Sequence, residues 1–245
     1  MDRIVVIDCF PEGVRSYREG YAVLAIDVIR ATTTAVTAVA AGRECYPVAS
    51  LESAWQLSAK LNNPLMVGEL GGLLPEGFHG NNSPAEIAVR EDISRPMILL
   101  SSTGTKLICE AEKCEAVYLS CLRNYRSTAR YLVGRYPRVA IIGSVSLGEF
   151  REEDQMCCAW IAEDLMKAGY QPKDQRTADL VKHWSGVSPD AFVGNKSFQF
   201  LKESGQLKDL EFILAHVNDL QDVFLVKEGR VVRVPTEETQ LPFSQ

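Results

Sequence analysis

The chain reads as an α/β layered domain built on a largely parallel sheet. Three observations predict this. Short apolar runs alternate with amphipathic stretches, polar clusters follow the runs rather than interrupt them, and no long Pro/Gly/Ser linker divides the chain.

The runs Ile4–Ile7, Ala22–Ile29, Leu65–Val67, Met97–Leu100, Ala116–Leu119 and Val139–Ile142 are aliphatic or β-branched and predict buried strands. Between them Thr32–Ala41, Leu51–Leu61, Ser83–Arg90, Thr105–Glu112 and Asn124–Val133 predict helices. A longer helix, Glu152–Ala168, follows the last strand. In the final third, Asp174–Trp184 and Asn195–Ser204 read as helices. Glu211–Val217, Val223–Lys227 and Arg230–Val234 read as strands, the last two joined at Glu228-Gly229. These strands are expected as an edge of the same sheet or a small appended layer. The organisation is therefore one domain over 1–234, with 174–234 as a sub-layer, and a polar tail over 235–245 expected to fray.

Composition narrows the function classes. Of 245 residues, 46% are hydrophobic and 24% charged, which supports a packed core and excludes a disordered chain. The formal net charge of −6 argues against nucleic acid as partner, because phosphate backbones call for a basic face. The most apolar run, Tyr21–Ile29, is far shorter than the roughly 18–20 residues that span a bilayer, so no membrane partner is expected. The stretch Met1–Asp8 is too short and too acidic for a secretory leader. Seven cysteines without a C-x-x-C pair read as free thiols in a reducing cytoplasm. Three scattered histidines argue against structural zinc. A homodimer is compatible with an acidic α/β protein of this size.

The polar clusters lie just after predicted strands, where ligands bind in open parallel sheets. Arg30-Ala31-Thr32-Thr33-Thr34 follows the second strand, and Gly68-Glu69 the third. A Gly-rich loop then ends in Gly80-Asn81-Asn82-Ser83-Pro84. Ser101-Ser102-Thr103-Gly104-Thr105 follows Met97–Leu100. Gly143-Ser144 and Gly148-Glu149-Phe150-Arg151-Glu152-Glu153-Asp154 follow Val139–Ile142. Hydroxyls and a glycine ahead of a helix present donors to an anion, although Ser102–Thr105 also reads as a plain helix cap. Ser83 before Pro84 is helix-start chemistry and needs no ligand.

Asp27 ends an otherwise apolar stretch, and a buried carboxylate is costly unless paired or metal-bound. It is expected to pair with Arg30, to hold a divalent ion or to act as acid or base. Glu149, Glu152, Glu153 and Asp154 form the densest acidic cluster. The dipole of a helix starting near Arg151 accounts for Glu152, but less well for Glu149. Oxygen ligands without neighbouring Cys or His point to Mg²⁺.

Cys9-Phe10-Pro11-Glu12-Gly13-Val14-Arg15-Ser16 matches the C-x₅-R-S loop of cysteine phosphatases, a common chance match. Pro11 removes a backbone donor, Glu12 repels phosphate and Cys9 has no flanking base.

Taken in order, Asp27-Val28-Ile29-Arg30-Ala31-Thr32-Thr33-Thr34, Gly68-Glu69 to Gly80-Asn81-Asn82-Ser83-Pro84, Ser102-Thr103-Gly104-Thr105 and Gly148-Glu149-Phe150 with Glu153-Asp154 resemble the ComB family, the 2-phosphosulfolactate phosphatases. The likeness runs from about Ile4 to Val234. It implies a three-layer α/β/α fold with a parallel or mixed sheet. It also implies a Mg²⁺-dependent hydrolysis of 2-phospho-3-sulfolactate to 3-sulfolactate and phosphate, a step toward coenzyme M. The chain departs from the family pattern at Thr103, Arg151 and Glu152.

The resulting expectation places Asp27, Arg30, Glu69 and Glu149 in catalysis, with Mg²⁺ on Asp27, Glu149, Glu153 and Asp154. Thr32, Thr33, Asn81, Asn82, Ser83, Ser102, Thr103, Gly104 and Thr105 are expected to bind a small phosphomonoester. Glu69 is a candidate for positioning or deprotonating water, and His79 for protonating the leaving oxygen. Two alternatives stand beside this: a non-catalytic binder of anionic metabolites, and a Cys9-dependent phosphatase.

Overall fold

The computed structural model describes residues 2–10, 12–146 and 148–234, so Pro11 and the tail over 235–245 lie outside the described residues. In chain order the first elements are β1 (Ile4–Cys9), α1 (Glu12–Ser16), β2 (Ala22–Ile26), α2 (Ala31–Ala40), β3 (Cys45–Val48), α3 (Leu51–Ser58), β4 (Leu65–Gly68) and α4 (Pro84–Ala88). Then come β5 (Met97–Leu100), α5 (Gly104–Ala111), β6 (Ala116–Ser120), α6 (Tyr125–Leu132), β7 (Arg138–Gly143), β8 (Val145–Ser146), β9 (Glu149–Phe150) and α7 (Glu152–Lys167). The last are β10 (Gln171–Pro172), α8 (Gln175–Trp184), α9 (Lys196–Glu203), α10 (Leu207–Ala215), β11 (Val223–Lys227) and β12 (Arg230–Val234).

Among the described residues, one 10-stranded sheet runs β10-β1-β7-β2-β6-β11-β12-β3-β5-β4. The strands β10, β1, β7, β2 and β6 form one parallel block, and β3, β5 and β4 a second. The antiparallel hairpin β11–β12 joins the two blocks.

Successive side chains of a strand point to opposite faces, and this alternation creates the layers. Val5 and Ile7, Leu24 and Ile26, and Val139 and Ile141 face the core shared with α6, α7 and α8. Their neighbours Val6, Val23, Ala25, Ala140 and Ile142 face α1, α2 and α5. The sheet is thus covered on both sides, as in a three-layer α/β/α fold. A side chain such as Leu24, fully buried, contributes about 1.5–3 kcal/mol. No helix among the described residues is long and apolar enough to cross a membrane.

Three expectations need correction, and one strand, β3, was not predicted. The second strand stops at Ile26, three residues early, because the chain turns at Asp27. Cys45–Val48 is a strand despite Pro47, which β3 accommodates because its pairing with β12 is confined to Cys45 and Val231. Glu211–Val217 is not a strand but lies mostly in α10, an apolar run whose length alone does not separate helix from strand. The hairpin β11–β12 is neither edge nor added layer but sits mid-sheet. Val223 and Phe224 enter opposite cores, so its apolar run marks a strand buried on both faces. Its turn lies at Glu228-Gly229 with φ 53 and 74, as a tight two-residue hairpin loop requires.

Candidate active site

Helix α2 is almost wholly buried although four of its residues are threonines. The helix tolerates them because most of their hydroxyls bond to nearby backbone. Thr33 Oγ1 donates to the Val28 carbonyl at 2.8 Å and Thr37 Oγ1 to the Thr33 carbonyl at 2.7 Å. Thr32 Oγ1 accepts from the Asp27 amide at 3.0 Å and donates to the Asp27 carbonyl at 2.8 Å. The hydroxyl thereby clamps the turn that presents Asp27. The Ile29-Arg30 peptide in this turn is cis.

The Asp27 carboxylate rests on the Ala31 amide at the start of α2. Gly104, the first residue of α5, closes it from the other side. The two helix N-termini favour a negative group there. Burial works against them, aided by the charges of Glu69 and Glu153, and pushes the Asp27 carboxyl up to about 7.

Helix α7 adds two more buried acids in its first turn, Glu153 and Asp154. Asp154 Oδ1 accepts from the Val28 amide at 2.7 Å, and Oδ2 from Ser144 Oγ at 2.9 Å. It therefore ties the Asp27 turn to the end of β7. Glu153 Oε2 accepts from Asn195 Nδ2 at 2.8 Å. Burial raises both carboxyls above the usual range; for Asp154 the charges of Asp27 and Glu153 add to it.

Glu69 is a hub. Its Oε1 accepts from the Ser102 amide at 2.7 Å, and its Oε2 from Ser102 Oγ and the Gly72 amide, each at 2.8 Å. Ser102 Oγ in turn accepts from the Gly71 amide at 2.7 Å. One carboxylate thus fixes the loops after β4 and β5 against each other. Arg30 is buried and pairs with Asp209 of α10 at 2.6 Å; it also bonds Gln206, and Asn81 Oδ1 at 3.3 Å.

These groups enclose a cavity of about 340 Å³, large enough for a small phosphorylated acid. All four predicted clusters reach it. Asp27 and Arg30 come from the first, Glu69 and Asn82 from the second, Ser102 and Thr103 from the third, and Ser144, Arg151, Glu153 and Asp154 from the fourth.

A family model described as 2-phosphosulpholactate phosphatase matches residues 9–229. The chain belongs to the 2-phosphosulpholactate phosphatase family. Its relatives include three proteins with the name "Probable 2-phosphosulfolactate phosphatase". The Symbiobacterium thermophilum protein is 31% identical over 87% of this chain and 94% of its own length. The Clostridium perfringens (strain SM101) protein is 28% identical over 88% of this chain and 90% of its own. The Carboxydothermus hydrogenoformans protein is 37% identical over a shorter stretch, 59% of this chain and 60% of its own length.

Several residues expected to touch ligand make hydrogen bonds within the fold. Thr32 and Thr33 are occupied as described. Thr105 Oγ1 accepts from the Ser101 amide at 2.8 Å and donates to the Ser101 carbonyl at 3.1 Å, closing the start of α5. Ser83 caps α4 and bonds Asp209 at 2.5 Å. Asn81 faces Arg30, and Gly104 backs Asp27 without lining the cavity. Glu149 is half exposed, lies off the cavity lining and pairs with Arg151 and Lys196. His79 Nδ1 accepts from the Met66 amide at 3.0 Å, which keeps it away from the site. Cys9 is also off the lining. Its amide donates to Asp8 Oδ1 at 2.9 Å and its Sγ accepts from Arg176 at 3.7 Å, so its contacts lie outside the cavity.

Sequence reasoning missed the contribution of α9. Lys196, Ser197 and Phe200 line the cavity, and Phe200 lies over Gly72, where a Cβ would meet its ring at 2.8 Å. The only signal there was the Asn195 helix cap, which reports structure rather than chemistry.

A divalent cation fits the donors present. Among the described residues, no three His, Cys, Asp or Glu side chains form a ready cage. Mg²⁺ needs none, since it takes one or two carboxylates and fills its shell with water and phosphate oxygens. Asn82 Oδ1 is a buried acceptor with no partner, in a residue 2% exposed that lines the same cavity as the acids. Such an oxygen is costly to leave unmatched.

Proposed function

We propose that the chain hydrolyses a small phosphomonoester acid, with 2-phosphosulfolactate as the first substrate to test, using Mg²⁺ held by Asp27 and Glu153 with Asn82. The observation that carries this is the Asp27 seat. A carboxylate between two helix N-termini meets two further buried acids in a cavity of substrate size. Membership of the phosphatase family supports the same reaction.

Bound there, the cation supplies charge neutralisation for the phosphoryl oxygens. The chain's own groups do the rest. Thr103, which makes no capping bond, and the start of α5 orient the phosphoryl group. Glu69 holds Ser102 in place and, with both oxygens already bonded, acts as a positioning residue rather than a base. Asp154 keeps the Asp27 turn rigid, and Arg30 adds positive potential from a fixed position.

The test is phosphate release from 2-phosphosulfolactate during an EDTA and Mg²⁺ titration. Activity should vanish with EDTA, return with Mg²⁺ and be lost in Asp27→Asn. Activity that survives EDTA and dies with thiol alkylation would move the chemistry to Cys9. Ligand-dependent thermal stabilisation without phosphate release would make the protein a binder.

A further inference from the structure

Among the described residues, three cationic side chains line the cavity: Arg30, Arg151 and Lys196. Arg30 is matched by a buried counter-ion, with Asp209 and Arg30 side chains 2% and 3% exposed. Arg151 and Lys196 differ. They share a single carboxylate, Glu149, which bonds Arg151 Nη1 at 2.8 Å and Lys196 Nζ at 2.5 Å. The Arg151 side chain is 11% exposed, whereas Glu149 is 48% exposed and lies off the cavity lining. Arg151 therefore lines the cavity from a mostly buried position, Lys196 stands at its rim with a side chain 69% exposed, and Glu149 reaches both from the solvent side. In addition, Arg151 Nε is buried with no acceptor. One cavity thus holds three buried carboxyls, Asp27, Glu153 and Asp154, together with these two cations.

We propose that Arg151 and Lys196 form an acid-recognition subsite, occupied by Glu149 in the free protein and taken over by the second anionic group of the substrate, its carboxylate or sulfonate. This rests on the phosphatase reading and assigns how the substrate lies. The phosphoryl group meets the carboxylates and their cation, and the other acid meets the two cations. The Lys196–Glu149 pair is exposed and worth little, so Glu149 gives it up at small cost. The incoming acid gains the planar Arg151 guanidinium and the Lys196 ammonium. The arrangement also rejects phosphomonoesters that lack a second acid, because they leave Arg151 to Glu149 and gain nothing from it.

The test compares kcat/KM for 2-phosphosulfolactate, 2-phospholactate and isopropyl phosphate, which carry two, one and no further acid groups. In Lys196→Ala and Arg151→Gln, the ratio of kcat/KM for the acid-bearing esters to that for isopropyl phosphate should fall about tenfold or more, through KM. Glu149→Gln should raise it. If only the 2-phosphosulfolactate ratio falls, the sulfonate occupies the subsite; if both fall, the carboxylate does. Equal losses on all three esters would mean that the cations serve the phosphoryl group, and the proposal fails while the phosphatase reading stands. If the wild type hydrolyses none of them, the phosphatase reading fails instead. Calorimetric binding of 3-sulfolactate, which has no phosphoryl group, then decides. About tenfold weaker binding in Lys196→Ala supports the subsite, and unchanged binding overturns it.

Discussion

A Cβ placed on Gly104 would lie 1.9 Å from Oδ2 of Asp27 and 2.6 Å from the Ala31 Cβ. No real side chain tolerates that contact, so the glycine is demanded by the carboxylate it backs. Neither atom can retreat: Asp27 is held by Thr32 and Val28 by Asp154, and α2 is packed all round. Gly104→Ala should therefore lower stability by about 1–3 kcal/mol, the usual cost of overpacking. It should also remove most phosphatase activity by displacing Asp27. Chemical denaturation and phosphate release read the two effects. A variant with wild-type stability and rate would show that the Asp27 seat is loose.

Arg30 and Asp209 join the site to α10, an element 179 residues away in sequence. Asp209→Ala leaves a buried guanidinium without its partner and should cost about 3–5 kcal/mol. Replacing both residues by apolar ones of similar volume should recover stability without recovering activity. If the double variant regains activity as well, Arg30 contributes nothing to the reaction beyond its place in the fold.

Much of the site's positioning was legible because strand ends carry it. Asp27, Glu69, Ser102 and Glu153 each follow an apolar run, and the carboxyl ends of strands are where a layered sheet builds clefts. What could not be read was which polar atoms face inward. Thr32, Thr33 and Thr105 look like ligand donors in sequence, yet their hydroxyls close local turns that no spacing rule distinguishes. Lys196 and Asp209 reach the site from α9 and α10 through tertiary packing alone. The mid-sheet place of β11–β12 depends likewise on long-range pairing with β6 and β3.

The three buried carboxyls make stability depend on pH. Asp27, Glu153 and Asp154 are all raised, chiefly by burial. A raised folded value means that folding takes up protons. For Asp27 the associated stability is fully present below its ordinary 3.8 and is lost as pH rises through about 7. Asp92, held low by Arg90 and Arg43, acts in the opposite sense, but only below 3.8. In EDTA, Tm should thus fall between about pH 4 and about pH 7, and Asp27→Asn should flatten that slope. Added Mg²⁺ should restore Tm at the alkaline end and do little at the acid end. Wild type and variant with the same slope would assign the dependence elsewhere.

Asn82 separates the cost of an unmatched acceptor from its use. Its Oδ1 is buried and unpartnered, so truncation removes an unfavourable group rather than a contact. Asn82→Ala should therefore keep or slightly raise Tm in EDTA. If the oxygen completes the cation's shell, the same variant needs about five- to tenfold more Mg²⁺ for half-maximal activity. Asn82→Asp, which keeps an oxygen there and adds charge, should bring the requirement back to the wild-type level or below. The decisive measurement is the Mg²⁺ activation curve of the three proteins at one pH. Superimposable curves would remove Asn82 from the cation's ligands and leave its orphaned oxygen to contact substrate instead.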